Sequence, residues 1–364
     1  MSGNLNTSIN GTHMHLHCFN PTVNKVVETL FDCAIFVFSL VGNSLISIIV
    51  FKSRAMRKPI NFLIVNMAMS DLLFAIFVVP PNLVGMHFQT SFLVEPQGEV
   101  FCKLVEFMIH VSASVSVQSL VLIAVDRFGA VVYPLRPPLI TSKLCCFLIV
   151  ATWIISFGIY SPYFLGSHLV MYPDGILLCQ TLYREVLNEV FVSFTYDTVV
   201  LTLFRCIPLV LIAIVYIVIY LKLKRQKIPG ERSTNNGDQL RKRERNVLKM
   251  SIAIVLAFAI CLLPLSIFKI VVNYVPIVRS CGWDRFELTC YVLANSNCAV
   301  NPCICFIFSR NYCQRLKSLL SCFSAEQRAN QVQVKRAELP RLLNCADSLA
   351  EPREERKVQE DGNL

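Results

Sequence analysis

Residues 144–165 read LCCFLIVATWIISFGIYSPYFL, and no charge lies between Lys143 and Asp174. A helix needs about 20 apolar residues to cross the hydrocarbon core of a bilayer, and this run supplies them without interruption. A second run of the same kind lies between Glu287 and Arg310. Outward from these two, five more apolar segments bring the set to 26–52, 60–87, 100–132, 144–165, 193–222, 247–274 and 286–308. Strands of a membrane barrel alternate over about ten residues, so these runs are far too long for strands. The reading is an all-α membrane protein, a seven-transmembrane helix bundle. Composition agrees: 54% of the 364 residues are hydrophobic and 16% charged, whereas soluble domains carry roughly a quarter charged residues.

Charge placement sets the expected topology. The start, MSGNLNTSIN, has no basic segment leading into an apolar one, so the first span is expected to be an uncleaved anchor. Its C-terminal flank holds Lys52, Arg54, Arg57 and Lys58 without an acid. The basic side stays in the cytosol, which places the N-terminus outside and, after seven spans, the C-terminus inside the cell membrane. Arg136, Lys143 and the dense cluster from Lys222 to Lys249 fall on the same predicted cytosolic side. The net charge of +10 is then a topology signal and a contact for anionic membrane lipids, not a sign of nucleic acid.

Four segments follow: a polar extracellular tail (1–25), the membrane domain (26–308), a short amphipathic helix on the membrane surface (309–323), and a disordered cytoplasmic tail (324–364). The first tail carries two glycosylation acceptor triplets, at Asn6 and Asn10. Its alternating His13, His15 and His17 read as a solvated tail rather than a metal site. Of 16 cysteines, only Cys18, Cys102, Cys179 and Cys281 fall on the oxidising side; the rest are small buried hydrophobes or cytosolic thiols. A bridge from Cys102 to Cys179 would pin the long second outer loop over the bundle, and Cys18 with Cys281 is a second pairing.

Each span also carries a marker: Gly42-Asn43; Asn66 and Met69-Ser70-Asp71-Leu72-Leu73; Cys102 through Asp126-Arg127-Phe128; Trp153 and Pro162; Pro208 and Tyr216; Phe258, Cys261 and Pro264; Asn297 and Asn301-Pro302. This ordered set, over about 26–323, resembles the rhodopsin-like (class A) G-protein-coupled receptors and within them the neuropeptide-receptor branch. The resemblance implies a receptor rather than an enzyme, an extracellular ligand, and a cytoplasmic heterotrimeric G protein and arrestin as partners. It implies activation by outward movement of the sixth helix, with Asp126, Arg127, Glu244, Tyr216, Asn301 and Pro302 as the switch. Asp71, Ser116, Asn297 and Asn301 match the family's sodium pocket; no other cofactor is implied. Cys322 matches a palmitoylation position.

Three residues depart from the pattern. Leu262 stands where the family usually has a tryptophan beneath the ligand, Cys305 where the seventh-helix motif ends in tyrosine, and Phe128 where tyrosine is usual. The first two imply an altered internal linkage. Ile109 occupies the place of the aspartate that holds biogenic amines, and Asn295 that of the retinal lysine, which argues against both ligands. The expected outer cavity is instead mixed in charge: Glu106, His110, Lys269 and Asn273, with Gln180 and Asp197 nearby. Lys269 needs a carboxylate or carbonyl partner, or a path to the outer interface. Arg205, deep in the fifth span, faces either a ligand or a hydrated gap. A peptide is the leading ligand class, a lipid or small acidic molecule the second. The rival of a different class, a transporter, would show related halves; none is visible.

Overall fold

The computed structural model describes residues 21–87, 97–133, 136–171, 177–181, 190–225, 235–275 and 280–321. Among them are seven helices long and apolar enough to cross a membrane: Lys25–Lys52, Pro59–Gly85, Gln97–Val132, Ser142–Gly166, Thr195–Lys222, Leu248–Val272 and Cys281–Phe308. They are called the first to seventh helices below. Helix starts follow ordinary capping chemistry. Pro59 opens the second helix, where its missing N–H costs nothing. The Thr141 hydroxyl accepts from the Leu144 amide at 3.3 Å at the start of the fourth, and Ser280 accepts from the Trp283 amide at the start of the seventh. Large apolar side chains such as Phe147 (68% exposed) and Ile154 (65% exposed) stand on the outer faces, as expected where lipid is the solvent.

The prolines leave carbonyls without an intrahelical donor, and side chains answer two of them. Pro302 frees the Cys298 carbonyl, which accepts from Asn43 Nδ2 of the first helix at 2.9 Å. Pro162 frees the Gly158 carbonyl, which accepts from the Ser161 hydroxyl at 2.8 Å. The second helix breaks at Val78, before Pro80 and Pro81, and resumes over Val79–His87. Just ahead of Pro208 the fifth helix widens into a π-turn over Thr202–Cys206, closed by the Ile207 amide on the Thr202 carbonyl. Gly42 permits a close approach of the first and seventh helices: a Cβ there would lie 2.5 Å from Pro302 Cβ.

A two-stranded antiparallel hairpin, β1 (Ser167–Met171) and β2 (Leu177–Thr181), follows the fourth helix. It is fastened to the start of the third helix by the Cys102–Cys179 disulfide, as the sequence suggested. Glu99 adds a second fastening. Its carboxylate accepts from the Leu169 amide at 3.1 Å and meets His168 Nδ1 at 2.7 Å and Lys103 Nζ at 3.0 Å. Cys281 is also disulfide-bonded; Cys18, its expected mate, lies outside the described residues.

The chain divides into two compact units, Met1–Cys313 and Gln314–Leu364. A helix covers 310–321. In its first turn Tyr312 is buried, packs edge-on against Phe306 and donates to Asn61 Oδ1 at 3.4 Å. Burial pushes its phenol well above the usual range. Asn6, Asn10 and Cys322 lie outside the described residues.

Candidate functional site

Two cavities open among the third, fifth, sixth and seventh helices, the first reaching the fourth helix at Tyr163 and the second reaching the second helix at Asp71, Phe74 and Asn82. One, of about 240 Å³, is lined by His110, Tyr163, Asp197, Phe268, Lys269, Glu287 and Tyr291. The other, of about 260 Å³, is lined by Glu106, Ile109, Arg205, Leu262, Lys269 and Tyr291 and continues to Asp71 and Asn297. Lys269 and Tyr291 belong to both and form their common wall. Glu106, His110 and Lys269, dispersed in sequence, are thus brought to one region. The side chain of Asn273 lies outside the described set.

Aromatic packing fixes the first cavity. His110 is buried, its ring 3.9 Å from the Tyr163 centroid and stacked on Tyr160 at 5.5 Å. The Tyr163 hydroxyl donates to Asp197 Oδ1 at 2.7 Å, and Tyr196 of the fifth helix donates to the Ile159 carbonyl. The fourth and fifth helices are thereby joined behind the histidine. Lys269 departs from expectation: it has no carboxylate within 4.0 Å among the described residues and faces the two cavities instead. A cavity open to water or ligand lowers the cost that an apolar surrounding would impose on the ammonium.

Leu262 explains the length of the second cavity. It is buried on the sixth helix and lines the space between Lys269 and Asp71. A tryptophan there would place a far larger side chain in that passage. At the far end Asp71 is 1% exposed, accepts from Asn301 Nδ2 at 2.8 Å and faces the Ser116 hydroxyl at 3.5 Å. Asn297 Oδ1 and Asn301 Oδ1 are buried and make no hydrogen bond. One carboxylate with hydroxyl and amide oxygens is a donor set that suits a hard cation such as sodium.

The opposite end of the bundle holds Arg127. Its guanidinium pairs with its neighbour Asp126 at 2.5 Å, while its Nε is buried with no hydrogen-bond partner among the described residues. Glu244, the acid expected to hold it, lies on the helix Asn235–Tyr274, but its side chain is outside the described set. The Tyr216 hydroxyl is buried without a hydrogen bond of good geometry; Ser251 of the sixth helix is its polar neighbour. Cys305 is buried 1% exposed, a thiol where a phenol could have reached further. Lys222 Nζ donates to the Val132 carbonyl at 2.9 Å, tying the fifth helix to the end of the third.

Seven apolar helices with this placement of Asn43, Asp71, Arg127 and Pro302 have a counterpart among known families. The model of the 7 transmembrane receptor (rhodopsin family) matches residues 42–305. The chain belongs to that family. Receptors of this family are not enzymes, and this one is a multi-pass membrane protein. It is 31% identical to neuropeptide Y receptor type 1 of Xenopus laevis over 77% of this chain and 76% of that one. It is 30% identical to a QRFP-like peptide receptor of Branchiostoma floridae over 82% and 78%. It is 27% identical to the RYamide receptor of Drosophila melanogaster over 79% of this chain but 61% of that protein's length.

Several residues of the receptor's cavity walls escaped the reading of the sequence. Tyr163, Glu287 and Tyr291 sit near helix ends, where aromatic and acidic residues are unremarkable. Only the convergence of five helices marks them. Arg205 was visible as a charge in an apolar run, but its direction depends on the π-turn that contains it. It is 6% exposed and lines the second cavity.

Proposed function

We propose that this receptor binds an extracellular peptide in the paired cavities and, in response, activates a heterotrimeric G protein at the Arg127 end. The observation that carries the reading is the mixed-charge wall: Glu106, Asp197 and Glu287 with Lys269, Arg205 and His110, around aromatic rings. A peptide offers ammonium, carboxylate, amide and apolar groups together, and such a wall answers all of them. The names of the relatives, receptors for neuropeptide Y, QRFP-like peptides and RYamides, support the same class. The hairpin end is the outer face in this reading and Arg127 lies at the cytosolic face, where arrestin would also dock. Asp71, Ser116, Asn297 and Asn301 would hold a sodium ion.

The mechanism is conformational. A ligand shifts the receptor only by binding one state better than the other, and moving the balance from 1:99 to 99:1 takes about 5.5 kcal/mol of differential affinity. The sixth helix is the moving part: Pro264 interrupts its hydrogen bonding below Lys269. An outward swing of its inner end would separate it from Tyr216 and expose Arg127.

The test is a neuropeptide library screened for second-messenger output in cells expressing wild type and Arg127→Ala. A peptide should activate wild type and fail on the variant, with surface expression and peptide binding kept. Strong ligand-free signalling with no peptide response, at good surface expression, would replace the peptide reading with a constitutively active receptor.

A further inference from the structure

Arg205 is a bundle charge with little to hold it among the described residues. Its side chain is 6% exposed, and its hydrogen bond is a long one, 3.4 Å from Nη1 to the Ser266 hydroxyl. Ser266 in turn donates to the Leu262 carbonyl at 2.8 Å, so its oxygen faces the guanidinium as an acceptor. No carboxylate lies within 4.0 Å of Arg205 among the described residues. Of the nearby acids, Asp71 is held by Asn301 and Asp197 by Tyr163, while Glu106 lines the same cavity without an ion pair among the described residues. A buried guanidinium with one neutral partner is costly, and proteins keep one where a counter-charge arrives from outside.

Arg205 is not alone. Lys269, one turn beyond Ser266 on the sixth helix, lines the same cavity and likewise has no acid within pairing distance. His110, from the third helix, feels both cations and holds a buried Nδ1 with no partner. Two helices therefore direct basic groups at one space, with His110 on the wall of the adjoining cavity. Glu106 and Asp71 also line that space, and its remaining wall includes the apolar Ile109, Leu262 and Leu265.

We propose that Arg205 and Lys269 form a carboxylate subsite at the floor of the ligand cavity. The fork of the guanidinium takes the two oxygens of the carboxylate, Lys269 adds a second charge above it, and the apolar wall takes the group that bears it. The source is a peptide's terminal or side-chain carboxylate, or a free carboxylic acid. The first source rests on the peptide reading; the subsite itself does not.

The experiment uses the full-length receptor in lipid nanodiscs, with 4-phenylbutyrate and its uncharged amide as probes at matched ionic strength. At tenfold excess over its Kd the acid should raise the unfolding midpoint by about 2–4 °C, and the amide should not. Arg205→Gln should abolish the shift, and Arg205→Lys, which keeps charge without the fork, should keep part of it. Equal shifts from acid and amide in wild type would overturn the subsite whether or not the variants fold, as would an acid shift that survives in Arg205→Gln. In parallel, peptides found active in cells are compared as free acids and fully amidated forms. A loss of at least tenfold in potency on amidation, absent in Arg205→Gln, assigns the carboxylate to the peptide. An acid shift in nanodiscs without any peptide response keeps the subsite and removes the peptide reading. Peptide responses without an acid-specific shift do the reverse.

Discussion

The seam among the second, third and fourth helices and the seam among the third, fifth, sixth and seventh are built on opposite terms. In the first, polar groups are buried and answered. Asn66 donates to Ser119 at 2.9 Å and Thr152 at 3.3 Å and accepts from Trp153 Nε1 at 2.9 Å. Ser70 meets Ser116 at 2.6 Å, Ser112 donates to the Ser70 carbonyl, and Gln118 reaches Ser156 at 2.9 Å. In the second seam, His110 Nδ1, Thr198 Oγ1, Asn297 Oδ1 and Arg127 Nε are buried without a hydrogen-bond partner among the described residues, and both cavities open mainly there. Satisfied networks rigidify, while unsatisfied buried groups leave alternative arrangements close in energy. The third helix is shared, so one face of it serves as a fixed frame and another as the wall of a working space.

Four substitutions can break or sharpen this contrast. The largest effect is expected beside the two seams, at the close contact between the first and seventh helices. Gly42→Val would place Cβ 2.5 Å from Pro302 Cβ, both on packed helices, and should cost about 3 kcal/mol, read as lost surface expression. Asn66→Leu strips three partners of one residue. It should lower stability by roughly 2 kcal/mol, since intramembrane hydrogen bonds contribute about 0.6 kcal/mol on average and at most about 1.7. Thermal inactivation of detergent-solubilised receptor measures it, with agonist potency per surface receptor unchanged; a potency shift instead would erase the distinction between the two seams. Asn43→Leu leaves the Cys298 carbonyl without its donor, an expected loss of about 1 kcal/mol by the same assay. Leu262→Trp, on the working side, should change stability least, by under about 0.5 kcal/mol, because the added ring enters a cavity and not a packed core. Its effect should appear as a drop in ligand-free second-messenger output. A large destabilisation would mean that the passage is already filled.

Much of the frame was legible in the residues. The seven spans follow from hydrophobic length, which lipid enforces because every backbone polar group must be satisfied inside the segment. The Cys102–Cys179 bridge could be read because few cysteines fall outside the apolar runs. Lys269 was legible as a charge needing company but not in its outcome, since the sequence reading sought a partner and the structure sets it on a cavity wall. The cavity walls were less legible. Tyr163, Glu287 and Tyr291 carry no periodic or motif signal, and their meeting depends on how five helices are rotated about their axes.

By itself, then, the sequence determined the number and approximate placement of the membrane-spanning helices, the family, and which residues carry unusual charge inside the apolar runs. These are local matters, settled by length, composition and the missing N–H of each proline. Only the tertiary structure decided that Asn43 answers the carbonyl freed by Pro302. It also decided that the π-turn before Pro208 places Arg205 against Ser266, and that Leu262 leaves one passage from Lys269 to Asp71. Those outcomes depend on helix rotation and approach, which packing over the whole bundle sets and no single segment encodes.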